Sequence, residues 1–309
     1  MRIVVVGPGA MGCLFAAFLS KVEKEVWILD KDKERAERIN KQGIIIEGVS
    51  GNWQANVRVT CNLDEIKTAD LIIIAVKSYD THQASLSIKP IVSEETTVLT
   101  LQNGLGNIET IGEVLGQERV VAGVTNQGAY VIKEGHIRHA GKGETIIGRI
   151  DGRMSLELRR IRDIFNQAGI LTKISKDIKG LLWSKLIINV GINALTAITR
   201  LNNGRLIEFE GTRRILREAV TEAIRIAKRK RIKLIYDDPL AKVEAVCEAT
   251  KENISSMLQD VLKNKRTEIC SINGVIVRLG QELGIPVPVN SVLLDLVKTI
   301  EASYNLRVS

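Results

Sequence analysis

The residues with the clearest chemical potential are a lysine and two asparagines within one apolar stretch of the chain. Lys185, Asn189 and Asn193 are four residues apart, so a helix would place all three on one face. The residues around them are mainly Leu, Ile and Val, too apolar for an ordinary surface helix. Because buried polar groups are costly without partners, these side chains are predicted to face a ligand or other polar groups.

A lysine removed from water has a lowered pKa, and Lys185 would then donate a proton near neutral pH. Reduction of a ketone needs such a group, because a hydride goes to the carbon and a proton to the oxygen. The two asparagines would hold hydroxyl and carboxylate groups of the substrate. A solvent-exposed polar stripe on the helix is the competing interpretation of the same spacing.

A glycine-rich loop near the N-terminus predicts a site for phosphate groups. Residues 7–12 form a GxGxxG pattern between a β-branched run and an apolar helical stretch. In that context the glycines allow a tight turn, close approach of a pyrophosphate and close packing of helix on strand. The helix N-terminus adds N–H groups and partial positive charge. The predicted dinucleotide loop consists of Gly7, Pro8, Gly9, Ala10, Met11 and Gly12.

Three further polar residues follow predicted strands, at the ends where open parallel sheets bind ligands. Asp30 closes the run VWILD, and its carboxylate is suited to the adenosine ribose hydroxyls of NAD. Lys31 and Lys33 beside it would instead offer charge to the 2′-phosphate of NADP. Lys77 follows the run LIIIAV and Asn103 follows TVLTLQ, so both are candidates for ligand contacts. A surface lysine and a simple Asn-Gly turn are the alternatives for these two.

The elements that must position these residues show two different patterns of secondary structure along the chain. Up to about residue 150, short β-branched runs alternate with helical periodicity, which is typical of a parallel α/β sheet. After Asp177 the strand signals nearly vanish. Helices are predicted there over 178–200, 211–231, 239–263, 268–283 and 291–304. The sequence therefore predicts an α/β fold, with a Rossmann dinucleotide-binding domain over 1–175 and an all-helical domain over 176–309.

Composition excludes several classes of protein. The 309 residues are 45% hydrophobic and 26% charged, which excludes wholesale disorder. The four cysteines form no CxxC pair and lie near no histidine cluster, so no metal site is predicted and the thiols are expected to be buried and reduced. No segment is judged long and apolar enough to span a bilayer, and a signal-peptide pattern is absent. We expect a cytoplasmic protein.

The net charge of +8 and the pI of about 9.3 permit nucleic acid, anionic membranes or anionic small molecules as partners. The most basic run, 225–233, contains no aromatic residue for stacking and no recognised DNA-binding pattern. It is typical of the solvated last turns of a helix. Small anionic molecules are therefore expected as partners, without nucleic acid or membrane. A nucleotide-sensing regulator or nucleic-acid binder is the competing hypothesis.

Taken together, the motifs resemble the ketopantoate reductase (2-dehydropantoate 2-reductase) family. Besides the glycine loop, the resemblance is carried by LQNG at 101–104, WSKLxxNxxxNxLTA at 183–197, SSM at 255–257 and TEI…NG at 267–274. It implies a Rossmann domain followed by a helical domain related to that of 6-phosphogluconate dehydrogenase. It also implies NAD(P)H-dependent reduction of 2-dehydropantoate to (R)-pantoate, in pantothenate and coenzyme A biosynthesis.

The resemblance also assigns roles to individual residues. Lys185 would contact the substrate and protonate the keto oxygen, and Glu268 would contact the nicotinamide half of the cofactor or the substrate hydroxyl. The other residues implied to hold ketopantoate are Asn189, Asn193, Asn203 and Ser256. Those implied to line the cofactor site, besides the glycine loop, are Lys77, Asn103 and Ala129.

Two features of the resemblance leave alternatives open. NADP(H) is the cofactor it implies, but Asp30 stands where the family often has a basic residue, so NAD(H) use is predicted as well. A related dehydrogenase that acts on a different 2-keto or hydroxy acid is the alternative function. A homodimer formed through the helical domain is compatible with the resemblance.

Overall fold

The computed structural model describes residues 1–306, which divide into two compact units. The first comprises Met1–Gln102 and Asn107–Ile178, and the second comprises Asn103–Gly106 and the described chain from Lys179 onward. The first unit is α/β and the second is helical, which confirms the predicted fold class. The short segment 103–106 groups with the helical unit although it follows a strand of the first.

The first unit contains an eight-stranded sheet and a four-stranded sheet. Its strands are β1 (Arg2–Val6), β2 (Glu25–Leu29), β3 (Ile44–Gly48), β4 (Trp53–Ala55), β5 (Arg58–Thr60), β6 (Leu71–Ile74), β7 (Thr97–Thr100), β8 (Val120–Thr125), β9 (Gly128–Lys133), β10 (His136–Gly141), β11 (Thr145–Gly148) and β12 (Thr172–Ile174). Its helices are α1 (Ala10–Leu19), α2 (Lys33–Gln42), α3 (Thr81–Ile88), α4 (Asn107–Leu115) and α5 (Leu156–Gln167).

The larger sheet has the order β12-β11-β8-β7-β6-β1-β2-β5, and its neighbours are parallel except for β8 and β11. Its central strands are buried along almost their whole length, which explains their apolar runs. Such runs are the strongest strand signal in a sequence, and β1, β2, β6 and β7 were predictable from them. Parallel pairing also brings the carboxyl ends of β1, β2 and β6 to the same edge.

The smaller sheet, in the order β4-β3-β10-β9, departs from the predicted strand–helix alternation. All its pairs are antiparallel except β3 with β10. Its strand β9 is partly exposed along its length, yet its sequence GAYVIK contains the apolar run AYVI, a strand signal that was missed. The sheet packs on α1, where the Phe18 ring meets Trp53 edge-on at 5.3 Å and His139 at 5.7 Å.

The second unit contains α6 (Ile178–Thr199), which begins at the end of the first unit, followed by α7 (Arg205–Glu208), α8 (Glu210–Arg229), α9 (Pro239–Ala249), α10 (Ser256–Leu262), α11 (Asn273–Leu283) and α12 (Pro288–Ala302). The prediction of one helix over 239–263 is wrong, because the chain leaves the helix at 250–255. A new helix begins after Ser255, whose Oγ accepts a hydrogen bond from the backbone N–H of Leu258 at 3.1 Å.

Helix α6 has the length and hydropathy of a membrane-spanning helix, with 22 residues and a mean hydropathy of 1.5 in its most apolar window. The prediction that no segment reaches these values is therefore wrong, because Leu, Ile and Val outweigh the two asparagines. Within the structure, 72% of that window is buried. A core helix covered by its neighbours meets the same criterion, so length and composition alone do not indicate a span.

A buried carboxylate and two asparagines join four helices of the second unit. Glu222 of α8 accepts hydrogen bonds from the backbone N–H groups of Val289 and Asn290, both at 2.9 Å, at the start of α12. It also accepts one from Asn290 Nδ2 at 2.7 Å. Asn273, the first residue of α11, donates to Asn290 Oδ1 at 3.0 Å and to Val190 O of α6 at 3.3 Å. The network thus fixes α8, α11 and α12 to the helix of Lys185.

We expect Glu222→Gln to lower the free energy of unfolding by about 2 kcal/mol, because an amide N–H₂ would face donors that now meet a carboxylate oxygen. Urea denaturation of the purified protein measures this loss. The control is Glu218→Gln, at an exposed position of the same helix, which should change stability by less than about 0.5 kcal/mol. Equal losses in the two variants would contradict a special role of Glu222.

Candidate active site

Helix α6 places the predicted lysine and asparagines on one face, as their spacing requires. Lys185 and Asn189 are partly buried, and Asn193 is only 6% exposed. Among the described residues, the side-chain amides of Asn189 and Asn193 form no hydrogen bond with the protein. The face therefore presents two amides whose hydrogen-bonding groups are available to a ligand.

The ammonium group of Lys185 lies in an environment that weakens its hold on the proton. Burial lowers the pKa of Lys185 from 10.5 to about 8, and the negative charge of Glu268 acts in the opposite direction. The Glu268 side chain is itself buried, in the segment between α10 and α11. A lysine with this pKa is mostly protonated at neutral pH yet gives up its proton more readily than an ordinary lysine, which suits a general acid.

The side-chain amide of Asn203, in the turn between α6 and α7, has a hydrogen-bond partner for its nitrogen but none for its oxygen among the described residues. Its Nδ2 donates to Thr250 Oγ1 at 3.0 Å, and its buried Oδ1 has no hydrogen-bond partner among the described residues. Because a buried acceptor without a donor costs about 1–3 kcal/mol, a hydroxyl group of a ligand would be favoured there.

The two serines at the start of α10 occupy different environments. Ser255 is buried, and its Oγ lies 2.6 Å from Thr196 Oγ1, which attaches α10 to α6. Ser256 is the first residue of α10 and is exposed. The family resemblance assigned the substrate contact to Ser256, and its exposure leaves the hydroxyl accessible while Ser255 holds the helix in place.

The loop that contains Asn103 is anchored beside the Glu268 segment. Leu105 N donates to Ser271 O at 3.0 Å, and Ser271 N donates to Glu268 O at 3.0 Å. Gly104 has φ +82°, and a Cβ at this position would overlap Ser271 O, so only glycine fits. Asn103 therefore groups with Lys185 and Glu268 in the helical unit, although the sequence placed it with the cofactor residues of the first domain.

The glycine loop lies at the edge where β1, β2 and β6 end. Gly7 N donates to Leu29 O at 2.9 Å, and Gly7 has φ +101° with Val76 Cγ1 only 2.8 Å from a Cβ built there. Gly12 packs so closely that a Cβ would overlap Gly7 O. Gly9 is exposed and no side chain caps the N-terminus of α1. The first-turn N–H groups of α1 are thus suited to a pyrophosphate, which fits a dinucleotide.

Gln102, which was not identified as a site residue from the sequence, fixes the loop that contains Lys77. Gln102 Nε2 donates to Val76 O and to Thr81 Oγ1, both at 2.8 Å. Thr81 Oγ1 in turn donates to Asn107 Oδ1 at 2.9 Å. Lys77 directly follows Val76 and is partly buried. The position of Gln102 between β7 and Asn103 was the available signal for its role.

Of the last two predicted cofactor residues, one belongs to the smaller sheet and the other follows a strand of the larger sheet. Ala129 is on β9 of the smaller sheet, opposite His139, and not at the carboxyl end of a strand of the larger sheet. Asp30 follows β2 as predicted, but its carboxylate forms an ion pair with Arg35 of α2. Arg35 was not identified from the sequence, although an arginine in the first turn of a helix that follows an acidic residue was visible.

In the described part of the chain, no group of three or more His, Cys, Asp or Glu residues has an arrangement that could hold a metal ion. Cys13 and Cys247 are buried, but Cys61 and Cys270 are exposed, so the prediction of buried thiols is wrong for the last two. The basic run 225–233 is the exposed end of α8 and the residues just after it.

Two family models match the chain in succession. The model described as ketopantoate reductase PanE/ApbA matches residues 3–152, and the model of the ketopantoate reductase PanE/ApbA C terminal matches residues 177–301. The chain belongs to the ketopantoate reductase family. The family resemblance inferred from the motifs is thereby confirmed. Ketopantoate reductases are NAD(P)H-dependent oxidoreductases, and this chain is an enzyme of that class.

The similarity to ketopantoate reductases extends over nearly the whole chain. The 2-dehydropantoate 2-reductase of Pyrococcus horikoshii is 36% identical and covers 98% of both chains, and that of Halobacterium salinarum is 34% identical over 96% of this chain and 98% of its own. A PanE/ApbA family ketopantoate reductase from Ralstonia eutropha JMP134 has a TM-score of 0.91 at 35% identity, covering 99% of this chain and 100% of that one.

Some structural neighbours carry a different name. A D-mandelate dehydrogenase, in a ternary structure with NADH and anilino(oxo)acetate, has the same TM-score of 0.91 at 25% identity. It covers 99% of this chain and 100% of its own. The architecture of ketopantoate reductases is thus also found in an enzyme named for a different hydroxy acid.

Proposed function

We propose that this chain reduces 2-dehydropantoate (ketopantoate) to (R)-pantoate with NAD(P)H, a step of pantothenate and coenzyme A biosynthesis. The observation that carries the proposal is the lysine of α6, with its pKa lowered to about 8, on one face with two amides available to a ligand. The substrate is supported by the full-length similarity to relatives named 2-dehydropantoate 2-reductase.

In this mechanism a bound nicotinamide supplies the hydride for the keto carbon. Lys185 holds a proton on Nζ and delivers it to the keto oxygen as the alcohol forms. Asn189 and Asn193, one and two turns further along α6, orient the hydroxyl and carboxylate groups of the substrate. Glu268 raises the pKa of Lys185 and so keeps the proton on Nζ at neutral pH.

The remaining contacts extend this arrangement. Asn203 Oδ1, buried and without a donor among the described residues, accepts a hydrogen bond from a substrate hydroxyl, and the exposed Ser256 adds a further one. The first-turn N–H groups of α1 hold the pyrophosphate of the cofactor. Lys77, Asn103 and Ala129 complete the cofactor-binding residues of the proposal.

The choice between the two nicotinamide cofactors is part of the proposal. The family resemblance favours NADP(H), whereas a carboxylate after β2 favours NAD(H). The test is to add ketopantoate to the purified protein and follow the oxidation of NADPH and of NADH in parallel, with chiral analysis of the product. Oxidation of neither cofactor, in a protein that binds nucleotide, would contradict ketopantoate as the substrate.

A second candidate function is the oxidation or reduction of a different hydroxy or 2-keto acid, favoured by the D-mandelate dehydrogenase neighbour. A panel of aliphatic and aryl 2-keto acids distinguishes the two. If ketopantoate is the substrate, its kcat/KM should exceed that of an aryl 2-keto acid by far more than one methylene group accounts for, about 1–3 kcal/mol. A preference for the aryl acid would select the second function.

The cell compartment and the assembly are also proposals. We propose a cytoplasmic enzyme whose partners are ketopantoate and a dinucleotide, with no role for nucleic acid or a membrane surface. The anionic character of both ligands supports this use of a basic surface. We also propose a homodimer through the helical domain, and light scattering after size exclusion measures the assembly directly.

The pH dependence follows from the lowered pKa of Lys185. A general acid must be protonated, so kcat/KM for ketopantoate should be constant below a break near pH 8 and fall about tenfold per pH unit above it. Because Glu268 raises this pKa, Glu268→Gln should move the break to lower pH. The control is Glu252→Gln, at an exposed position, which should leave the break in place. A break that moves to higher pH in Glu268→Gln would contradict the assignment.

A further inference from the structure

The corner after β2 holds an ion pair that changes how Asp30 can meet a ligand. Asp30 Oδ1 accepts the backbone N–H groups of Lys31 and Asp32 at 2.7 and 3.2 Å. Arg35 adds a two-point contact, with Nε 2.7 Å from Oδ2 and Nη2 2.5 Å from Oδ1. The Asp30 side chain is 1% exposed and that of Arg35 is 27% exposed. The Arg35 side chain, and not the Asp30 carboxylate, is therefore the part of the pair that is accessible to solvent or to a ligand.

A ribose hydroxyl can bond to Asp30 only if Arg35 leaves it. Charge-assisted two-point pairs of this kind are among the strongest hydrogen-bonded contacts in proteins. Asp30 is already satisfied by two backbone donors and the guanidinium, so nothing at this position requires a hydroxyl group. The carboxylate that the sequence suggested for NAD is thus occupied by a neighbour five residues later.

The guanidinium, by contrast, retains donors that no described residue uses. A guanidinium has five N–H groups, and two of those of Arg35 meet Asp30. No further hydrogen bond of the Arg35 side chain is found in the described part of the chain. The remaining donors are held in a fixed plane, which is the geometry that matches the oxygens of a phosphate group.

The position of Arg35 is also fixed by its backbone. Arg35 N donates to the carboxylate of Asp32, the residue that caps α2, at 3.0 Å. Lys31 and Lys33 are exposed on either side of that cap, and Lys31 lies 3.6 Å from Asp80. The first turn of α2 thus presents an anchored guanidinium flanked by two exposed cations, beside the strand end that follows the glycine loop in chain order.

We propose that Arg35, seated on Asp30, recognises the 2′-phosphate of NADPH, and that Asp30 is the residue that positions Arg35. This inference rests on the proposed function, in that a dinucleotide occupies the edge formed by β1 and β2. Binding NADPH keeps the Asp30–Arg35 pair intact and adds a partner to the unused donors. Binding NADH leaves those donors without a phosphate, or requires the pair to open so that Asp30 reaches the ribose hydroxyls. NADPH is therefore the preferred cofactor.

Calorimetric titration of the protein with 2′,5′-ADP and with 5′-ADP tests this without any turnover. The unmodified protein should bind 2′,5′-ADP about 10–100-fold more tightly, because the 2′-phosphate adds charge-assisted hydrogen bonds with the guanidinium. Arg35→Ala should remove about 10–100-fold of that preference, and Arg35→Lys should recover only part of it, because an ammonium is a point charge. The control Arg38→Ala, on the same helix and paired with Glu134, should keep the preference.

Asp30→Asn separates the two roles at this corner. If Asp30 positions Arg35, the variant should weaken 2′,5′-ADP binding and leave 5′-ADP binding unchanged. If Asp30 instead holds the ribose hydroxyls, the variant should weaken 5′-ADP binding while Arg35→Ala strengthens it, and the proposal is overturned. Equal affinity of the unmodified protein for both nucleotides, or affinity for neither, also overturns it. Failure of ketopantoate turnover alone would contradict the proposed function and leave these binding results intact.

Discussion

Lys185→Ala is expected to lower kcat for ketopantoate by about 10²–10⁴-fold, the range for loss of a general acid. Without the ammonium, the keto oxygen must take its proton from water in a site lined by apolar side chains. The loss should appear in kcat at saturating ketopantoate and cofactor at pH 7, where Lys185 in the unmodified protein is mostly protonated. It should exceed any change in the affinity for the dinucleotide.

Two further variants separate acid catalysis from general damage to α6. Lys179→Ala removes an exposed lysine of the same helix and should keep nearly full turnover. Lys185→Arg keeps a positive charge for the substrate but holds its proton too tightly to donate it, so its kcat should remain low. Full turnover of a folded Lys185→Ala protein would remove this residue from the mechanism.

The face of α6 shows what the spacing of residues along a helix can predict and what it cannot. Four-residue spacing predicted that Lys185, Asn189 and Asn193 share a face, and the helix over Ile178–Thr199 provides it. The same spacing said nothing about Glu268, which lies more than 80 positions later and acts on Lys185 only through tertiary packing. Periodicity reports neighbours within one element, whereas the electrostatics of a site depend on which elements the fold brings together.

The two sheets of the first unit differ in how readily their strands were recognised from the sequence. Strands β1 and β6 are buried on both faces, so their sequences are apolar at nearly every position and were recognisable. Strand β9 is partly exposed, and its pairing with β10 involves a shift in register. Its sequence, GAYVIK, nevertheless contains the aromatic and β-branched residues that favour strands, and β10 follows it directly in the chain, so a local signal for this hairpin was present and was missed. The parallel pairing of β10 with β3, in contrast, joins residues such as His136 and Ile45 that are far apart in the chain, so no local pattern predicts it.

The corner at Asp30 departs from expectation for a different reason. The acidic residue stands at the position where a ribose partner is expected, and that part of the prediction depended on side-chain type alone. Whether a carboxylate is open depends on what covers it, and the backbone turn into α2 brings Arg35 onto both of its oxygens. A residue type at a motif position thus indicates a possible contact, and the surrounding pairs decide whether that contact can form.

Gly12→Ala is expected to lower the free energy of unfolding by about 3 kcal/mol, the upper end of the usual cost of overpacking, although alanine is the better helix former. Helix propensity alone predicts a gain of up to about 1 kcal/mol. Against this, a Cβ at Gly12 would overlap Gly7 O and approach Ala75 Cβ to 3.3 Å, so α1 must move away from the end of β1. Backbone atoms cannot move aside as a flexible side chain can. The free-energy cost of overpacking should therefore exceed the gain in helix propensity. Chemical denaturation of the purified variant measures the sign and size of the change in the free energy of unfolding.

Two other glycines separate the reasons for this effect. Gly211, in α8, has no atom within 4 Å of the position that a Cβ would occupy, so Gly211→Ala should be neutral or stabilising. Gly9 has φ −69°, and the nearest atom to a Cβ placed there is 3.9 Å away, so Gly9→Ala should fold normally. Its methyl group would nevertheless stand at the uncapped start of α1, where the pyrophosphate must approach, and should weaken dinucleotide binding. A Gly12→Ala protein as stable as the unmodified one would mean that the close packing of α1 on the loop is not required, and the structural basis of the dinucleotide site would then rest on Gly7 and Gly9 alone.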